Sequence, residues 1–242
     1  MYADDLILLS ISVNDLNFLV ELCVQAFSKI EMEININKSS CIRIGRRHNY
    51  QFKEIQINCH VLKLCQEMNY LGIIITSANT FKVNLQQVRH KFFRAVNAIF
   101  GRVGLNTSPV TLCSLIDHCC LPILLYASES IPWNKSLMQS IENAYSQAFF
   151  KIFHASDTHT LKCCQFYMGC LPIELRIMQK KLKFLSAIKD SKSLDLWNLP
   201  FVTKNDELES IFETYNIPRN FTGNARQYFW KYFEDKLTSI NP

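Results

Sequence analysis

The chain has 242 residues, 48% of them hydrophobic and 19% charged, with a net charge of +5. That is enough to bury a core, as one large domain or two small ones. Six glycines and seven prolines exclude a linker-rich or low-complexity protein, and a mildly basic balance permits nucleic acid without specifying it.

The first residues are acidic, and no basic lead precedes an apolar run, so no secretory signal is expected. The apolar stretches at 71–75 and 119–127 are too short to span a bilayer. Ten cysteines are scattered through apolar contexts and read as reduced, mostly buried thiols. The expectation is an intracellular protein, nuclear or cytoplasmic, neither secreted nor held in a membrane.

In chain order, Tyr2-Ala3-Asp4-Asp5 leads straight into Leu6-Ile7-Leu8-Leu9-Ser10. Tyr2 and Ala3 read as the end of one strand and residues 6–11 as the next, with the two acids at the hairpin tip. Adjacent carboxylates at an exposed tip suit Mg²⁺, a hard cation held by one or two carboxylates plus substrate phosphates. Two such ions clamp the attacking and leaving oxygens of a phosphoryl transfer. A solvated Asp-Asp turn is the alternative. Ser12 or Asn14 then caps a helix whose apolar face runs Leu16, Leu19, Val20, Cys23, Phe27 and Ile30.

Alternation at Ile34 and Ile36, resuming at Cys41 or Ile42, predicts a bent strand that passes Lys38 and ends at Gly45. Residues 55–57 and 61–64 predict a hairpin around Asn58-Cys59-His60. Residues 69–76, with Tyr70, Leu71 and Gly72, predict one further strand, with a bulge or a close backbone approach at the glycine.

From Lys82 the period becomes helical through Val83, Leu85, Val88, Phe92, Phe93, Val96, Ile99 and Phe100, with Gly101 and Gly104 as stops. Arg89, Lys91 and Arg94 lie among these positions. Thr107 or Ser108 followed by Pro109 opens another helix, and Pro122 predicts a kink in its continuation. Residues 136–153 form an amphipathic helix, and 154–160 form a joint. Further helices are expected over 161–188, around 206–215 and over 224–237. Lys180, Lys181 and Lys183 read as a solvated face or an RNA contact. Two Cys and His groups, Cys113 to Cys120 and Cys163 to Cys170, lack the paired spacing of structural zinc, and no zinc is expected.

The Tyr-Ala-Asp-Asp hairpin resembles the palm hairpin of reverse transcriptases. The motifs after it resemble the LINE-type (non-LTR) retrotransposon branch. They are the strand ending in Gly45 with Lys38 ahead of it, the Tyr70-Leu71-Gly72 strand, and the Leu-Tyr-x-x-Glu segment at 125–129, where Ala127 replaces the family's glycine. The resemblance covers residues 1–188. It implies an α+β fold: a partial polymerase palm (an antiparallel sheet with one packed helix) over 1–80, a helical thumb over 81–154, and a C-terminal helical region over 155–242.

It also implies roles. Asp4 binds Mg²⁺ and Asp5 supports it. Lys38 approaches the triphosphate and protonates the leaving pyrophosphate. Tyr70, Leu71 and Gly72 grip the primer, and Arg89, Lys91 and Arg94 meet backbone phosphates. RNA template and DNA primer are the implied partners of the intact parent enzyme. That family's third carboxylate and its fingers come before the hairpin, so the chain reads as the later part of a longer reading frame, inactive alone and with an exposed palm edge open to association. A domesticated nucleic-acid-binding module without catalysis, or the product of a decayed gene, are the alternatives.

Overall fold

The computed structural model describes residues 4–50, 54–57, 60–104, 107–190, 206–219, 221 and 223–239. They form two compact units, Met1–Asn84 and Leu85–Pro242. The fold is α+β, with short strands in the first unit and helices through the second.

In the first unit, helix α1 (Val13–Ser28) starts where Ser12 accepts a hydrogen bond from the Asp15 N–H, which satisfies one of the orphan donors of the first turn. Val20 is its buried centre. Val13, Leu16 and Val24 pack beside it against Ile55 and Ile57. Lys29 ends the helix, so Ile30 falls beyond it and is exposed rather than part of the apolar face.

The strands are short. β1 (Ser40–Cys41) pairs in parallel with β4 (Lys63–Leu64), and β2 (Gln56–Ile57) pairs antiparallel with β3 (His60–Val61). The hairpin predicted around residue 58 is therefore present, although Asn58 and Cys59 lie outside the described residues. β5 (Glu67–Tyr70), β6 (Ile73–Thr76) and β7 (Lys82–Asn84) form an antiparallel meander. Ile74, Ile75 and Val83 are its buried residues.

Two strand expectations are corrected. Residues 6–10 are irregular, and 34–36 form no strand. Leu9 is 80% exposed and Ile11 fully so. Alternation in sequence makes a strand only where a neighbour takes its hydrogen bonds, and no strand among the described residues pairs with either segment.

In the second unit, α2 (Gln86–Val103) ends at Gly104, whose N–H reaches the Phe100 carbonyl. Gly101 lies inside this helix rather than ending it, and Val83 belongs to β7 rather than to the helix. Helix α3 (Pro109–Leu115) begins on its proline, where the missing N–H costs nothing. A π-helical turn (Ile116–Cys120) and α4 (Leu121–Leu124) continue it, which places the expected irregularity just before Pro122. Ala127, at φ +51, redirects the chain into a 3₁₀ turn (Ser128–Ser130).

Helix α5 (Lys135–Phe153) is capped by the Asn134 side chain, which accepts from the Leu137 N–H. It packs against α2, α3, α6 (Thr158–Tyr167) and α7 (Ile173–Asp190). Phe92, Ile116, Ile141, Tyr145 and Phe149 are fully buried. A second core joins Leu171, Leu175 and Leu182 to α8 (Asp206–Thr214) and α9 (Arg226–Thr238) through Leu208, Ile211, Phe229 and Phe233. The aromatic residues of α9 belong to this packing: Phe166 sits edge-on to Trp230 and Phe233, and Tyr215 stacks on Phe229.

Candidate functional site

Asp4 occupies a turn, Asp5 forms an isolated β-bridge, and both are exposed. Tyr2 and Ala3 lie outside the described residues. Lys38 is exposed in the turn at residues 36–38. Its N–H donates to both the main-chain oxygen and Oδ1 of Asn35, at 3.2 Å each. The Asn35 carbonyl and side chain thus close a local turn where a strand was expected.

Tyr70, Leu71 and Gly72 depart from their expected geometry. Tyr70 pairs with Ile73 across β5 and β6, so Leu71 and Gly72 are the two central residues of a tight hairpin rather than the bulge of one strand. Their φ angles are +48° and +80°. Positive φ at both positions matches the twist of a two-residue antiparallel link. Gly72 adopts it freely, and Leu71 is an uncommon residue there. The signal was present in the sequence: a glycine at the second position of a two-residue gap between strand-forming runs.

Asp4, Asp5, Lys38, Tyr70, Leu71 and Gly72 all belong to the first unit. Among the described residues, no group of three His, Cys, Asp or Glu side chains is placed to hold a metal. Each of the two acids offers a hard carboxylate oxygen, the donor type that Mg²⁺ takes.

Arg89, Lys91 and Arg94 lie on α2 in the second unit. Lys91 and Arg94 are exposed, whereas Arg89 is half-buried and its Nε is buried without a hydrogen-bond partner. At 100° per residue, Lys91 and Arg94 share a face and Arg89 is turned roughly 140° from Arg94. Two of the three cations therefore stand on one side of the helix and open to solvent.

Of Lys180, Lys181 and Lys183 on α7, Lys183 is exposed, whereas Lys180 and Lys181 are held by acidic partners. Lys180 pairs with Glu129 at 2.8 Å and donates to the Leu125 carbonyl. Lys181, only 4% exposed, pairs with Glu207. Arg176 pairs with Asp117 at 2.7 Å and ties α7 to the π-helical turn. These ion pairs link residues far apart in the chain, so spacing alone did not reveal them.

The cysteines sit mostly in packed surroundings. Cys113, Cys120 and Cys170 are buried and Cys119 is exposed. Burial, and then the neighbouring Cys119, push the Cys120 thiol up to about 11. The Cys113 thiol is raised, first by its hydrogen bond to Cys170 and then by burial.

No helix among the described residues is long and apolar enough to cross a membrane. No known family model matches the chain, and no solved structure matches it. Over 142 residues it is 25% identical to a protein of Caenorhabditis elegans described as uncharacterized and transposon-derived. The match takes in 58% of this chain, which spans about half the length of that relative.

Proposed function

We propose that this chain descends from the reverse transcriptase of a non-LTR retrotransposon, and that it carries the later part of the palm together with a helical region that binds template and primer. The observation that carries the reading is an exposed pair of neighbouring acids, Asp4 at a turn and Asp5 on a β-bridge. It stands in the same compact unit as the Leu71-Gly72 hairpin. Similarity to a transposon-derived protein agrees with that descent.

The residues divide the work by their chemistry. Asp4 offers the hard oxygen ligand, and Asp5 holds the turn that aims it. Lys38, exposed on its own turn, supplies a proton to a leaving pyrophosphate. The Leu71-Gly72 turn presents backbone to a primer end. Lys91 and Arg94 meet backbone phosphates. Mg²⁺, when bound, neutralises the charge that develops on the transferred phosphoryl group. Chemistry of this kind needs a further carboxylate on a separate strand, so the 242-residue chain alone binds template and primer without extending the primer.

The test is binding of an RNA–DNA template–primer across a salt series, together with primer extension in Mg²⁺. Each phosphate contact contributes about −0.9 to the slope of log K against log salt. Replacing both Lys91 and Arg94 with alanine should flatten that slope by roughly 2. Binding no stronger than that of an unrelated protein of the same charge, or an unchanged slope, would point to a decayed gene product instead. Templated extension that Asp4→Ala abolishes would overturn the claim that the chain is inactive alone.

A further inference from the structure

The positive charge of the chain is concentrated in one stretch. Residues 34–53 hold five Lys and Arg and no Asp or Glu, so the rest of the chain carries no net charge. The centre of that stretch, 43–50, is a closed loop in the first unit. Two successive turns build it. The His48 N–H donates to the Gly45 carbonyl at 3.0 Å, and the Tyr50 N–H donates to the Arg47 carbonyl at 3.1 Å. Arg43 Nη1 then donates to the Tyr50 carbonyl at 3.2 Å and closes the loop on itself.

The loop is also pinned to the sheet. The Ser77 hydroxyl donates to the Arg43 carbonyl at 2.8 Å, and the Gly45 N–H donates to the Ala78 carbonyl at 2.9 Å. Ser77 and Ala78 follow the end of β6, whereas the Leu71-Gly72 turn precedes its start. At about 3.3 Å per residue, the two features stand roughly 16 Å apart along the strand.

The side chains of the loop divide by role. His48 is turned back on it, with Nδ1 3.1 Å from the Gly45 carbonyl. Arg46 and Arg47 are the central residues of the first turn and are exposed. Among the described residues no carboxylate forms an ion pair with either. Tyr50, at the end of the second turn, is 68% exposed. One pinned loop thus presents two guanidinium groups and an aromatic ring to solvent.

We propose that this loop binds single-stranded nucleic acid. Guanidinium forks match phosphate oxygens in pairs, and an exposed ring offers a stacking face to a base. Stacking of this kind takes a base free of its partner strand, which selects a single strand over a duplex. Because the loop is held in place beforehand, little conformational entropy is lost on binding. The choice of nucleic acid over another polyanion rests on the descent proposed for the chain. The site itself is separate from Lys91 and Arg94, which belong to the other unit.

The experiment is fluorescence anisotropy of the whole chain with single-stranded RNA, single-stranded DNA, their duplexes and an abasic DNA strand of equal length, across a salt series. Phosphatidylserine vesicles are tested beside them. Single strands should bind about fivefold or more tightly than the abasic strand, the contribution of at least one stacked base. Tyr50→Ala should remove that preference and Tyr50→Phe should keep it. Replacing both Arg46 and Arg47 with glutamine should flatten the slope of log K against log salt by roughly 1.4, at about 0.7 per phosphate of a single strand. Photo-crosslinking of the unaltered chain to thiouridine-substituted RNA, followed by peptide mapping, should place an adduct within 43–50, and this needs no variant to fold. The tighter of RNA and DNA is the strand the loop takes. Equal affinity for the abasic strand, adducts only on other peptides, or binding to vesicles and to no oligonucleotide overturns the proposal. A slope flattened by the Lys91 and Arg94 substitutions but not by those at Arg46 and Arg47 overturns this site and leaves the helical one standing, and the converse result does the opposite.

Discussion

Removing Asp117 from under Arg176 should be among the more damaging single changes in the helical unit. The two side chains meet end-on, Arg176 Nη2 donating to Asp117 Oδ2 at 2.7 Å, at 16% and 24% exposure. Arg176 Nε and Asp117 Oδ1 are buried without partners, so one hydrogen bond and one Coulomb contact carry the pair. Breaking a fully buried pair costs about 3–5 kcal/mol, because the surviving charge is stranded. The residual exposure here brings Asp117→Ala to about 2–3 kcal/mol. For a unit of this size, that lowers Tm by about 5–10 °C. Since only one nitrogen is used, Arg176→Lys should cost under about 1 kcal/mol, unlike lysine at a forked site. Removing both charges, as Asp117→Ala with Arg176→Met, should cost less than Asp117→Ala alone. The assay is thermal and urea unfolding followed by helical circular dichroism on the whole chain. If the two single effects simply add, to within about 0.3 kcal/mol, the argument from a stranded charge is wrong.

Two further outcomes follow from named groups. Asp157 caps α6, accepting from the Thr160 N–H at 2.8 Å and from its hydroxyl at 2.6 Å. The side-chain hydrogen bond from Thr160, and then its backbone N–H, hold the Asp157 carboxyl below its ordinary range. A depressed folded value stabilises above the unfolded value and is lost as pH falls through the folded one. The protection factor of the Thr160 amide, the slowing of its exchange relative to an unprotected amide at the same pH, should therefore fall on acidification below the carboxylate range, and Asp157→Asn should remove that pH dependence. For the cysteines, mass-spectrometric mapping after brief alkylation near pH 8 should show Cys119 modified and Cys120 spared. Cys120 is buried with its thiol near 11, and the thiolate is the species that reacts. Equal labelling of the two in native buffer would contradict the packing around α4.

The helices were the more legible part of the sequence, because their signals are local. Pro109 opens a helix at its first position, Gly104 closes one, and Ser12 caps another, each through backbone chemistry within a turn of itself. The strands were less legible. β1 finds its parallel partner at β4, more than twenty residues on, and nothing local says which apolar alternation will be paired. Ile34 and Ile36 alternate as well as any strand and form none. Leu71 misled for the opposite reason, since leucine is a poor marker for positive φ. On the candidate site, the sequence named the acid pair and the cations of α2, but not the half-burial of Arg89. It also did not reveal that Lys180 and Lys181 are spent on Glu129 and Glu207. Those are tertiary pairings.

The π-helical turn at Ile116–Cys120 has a bearing on how this segment tolerates changes in length. A wide turn accommodates about one extra residue, and one residue is roughly 100° of rotation. Deleting a residue there would shorten the chain by very little. Because the wide turn already takes up that residue, the segment would close to an ordinary α-helical turn and keep Leu121 and Leu124, both buried, on the side they now face. A second deletion would find no such slack, and would turn α4 by roughly 100° relative to α3.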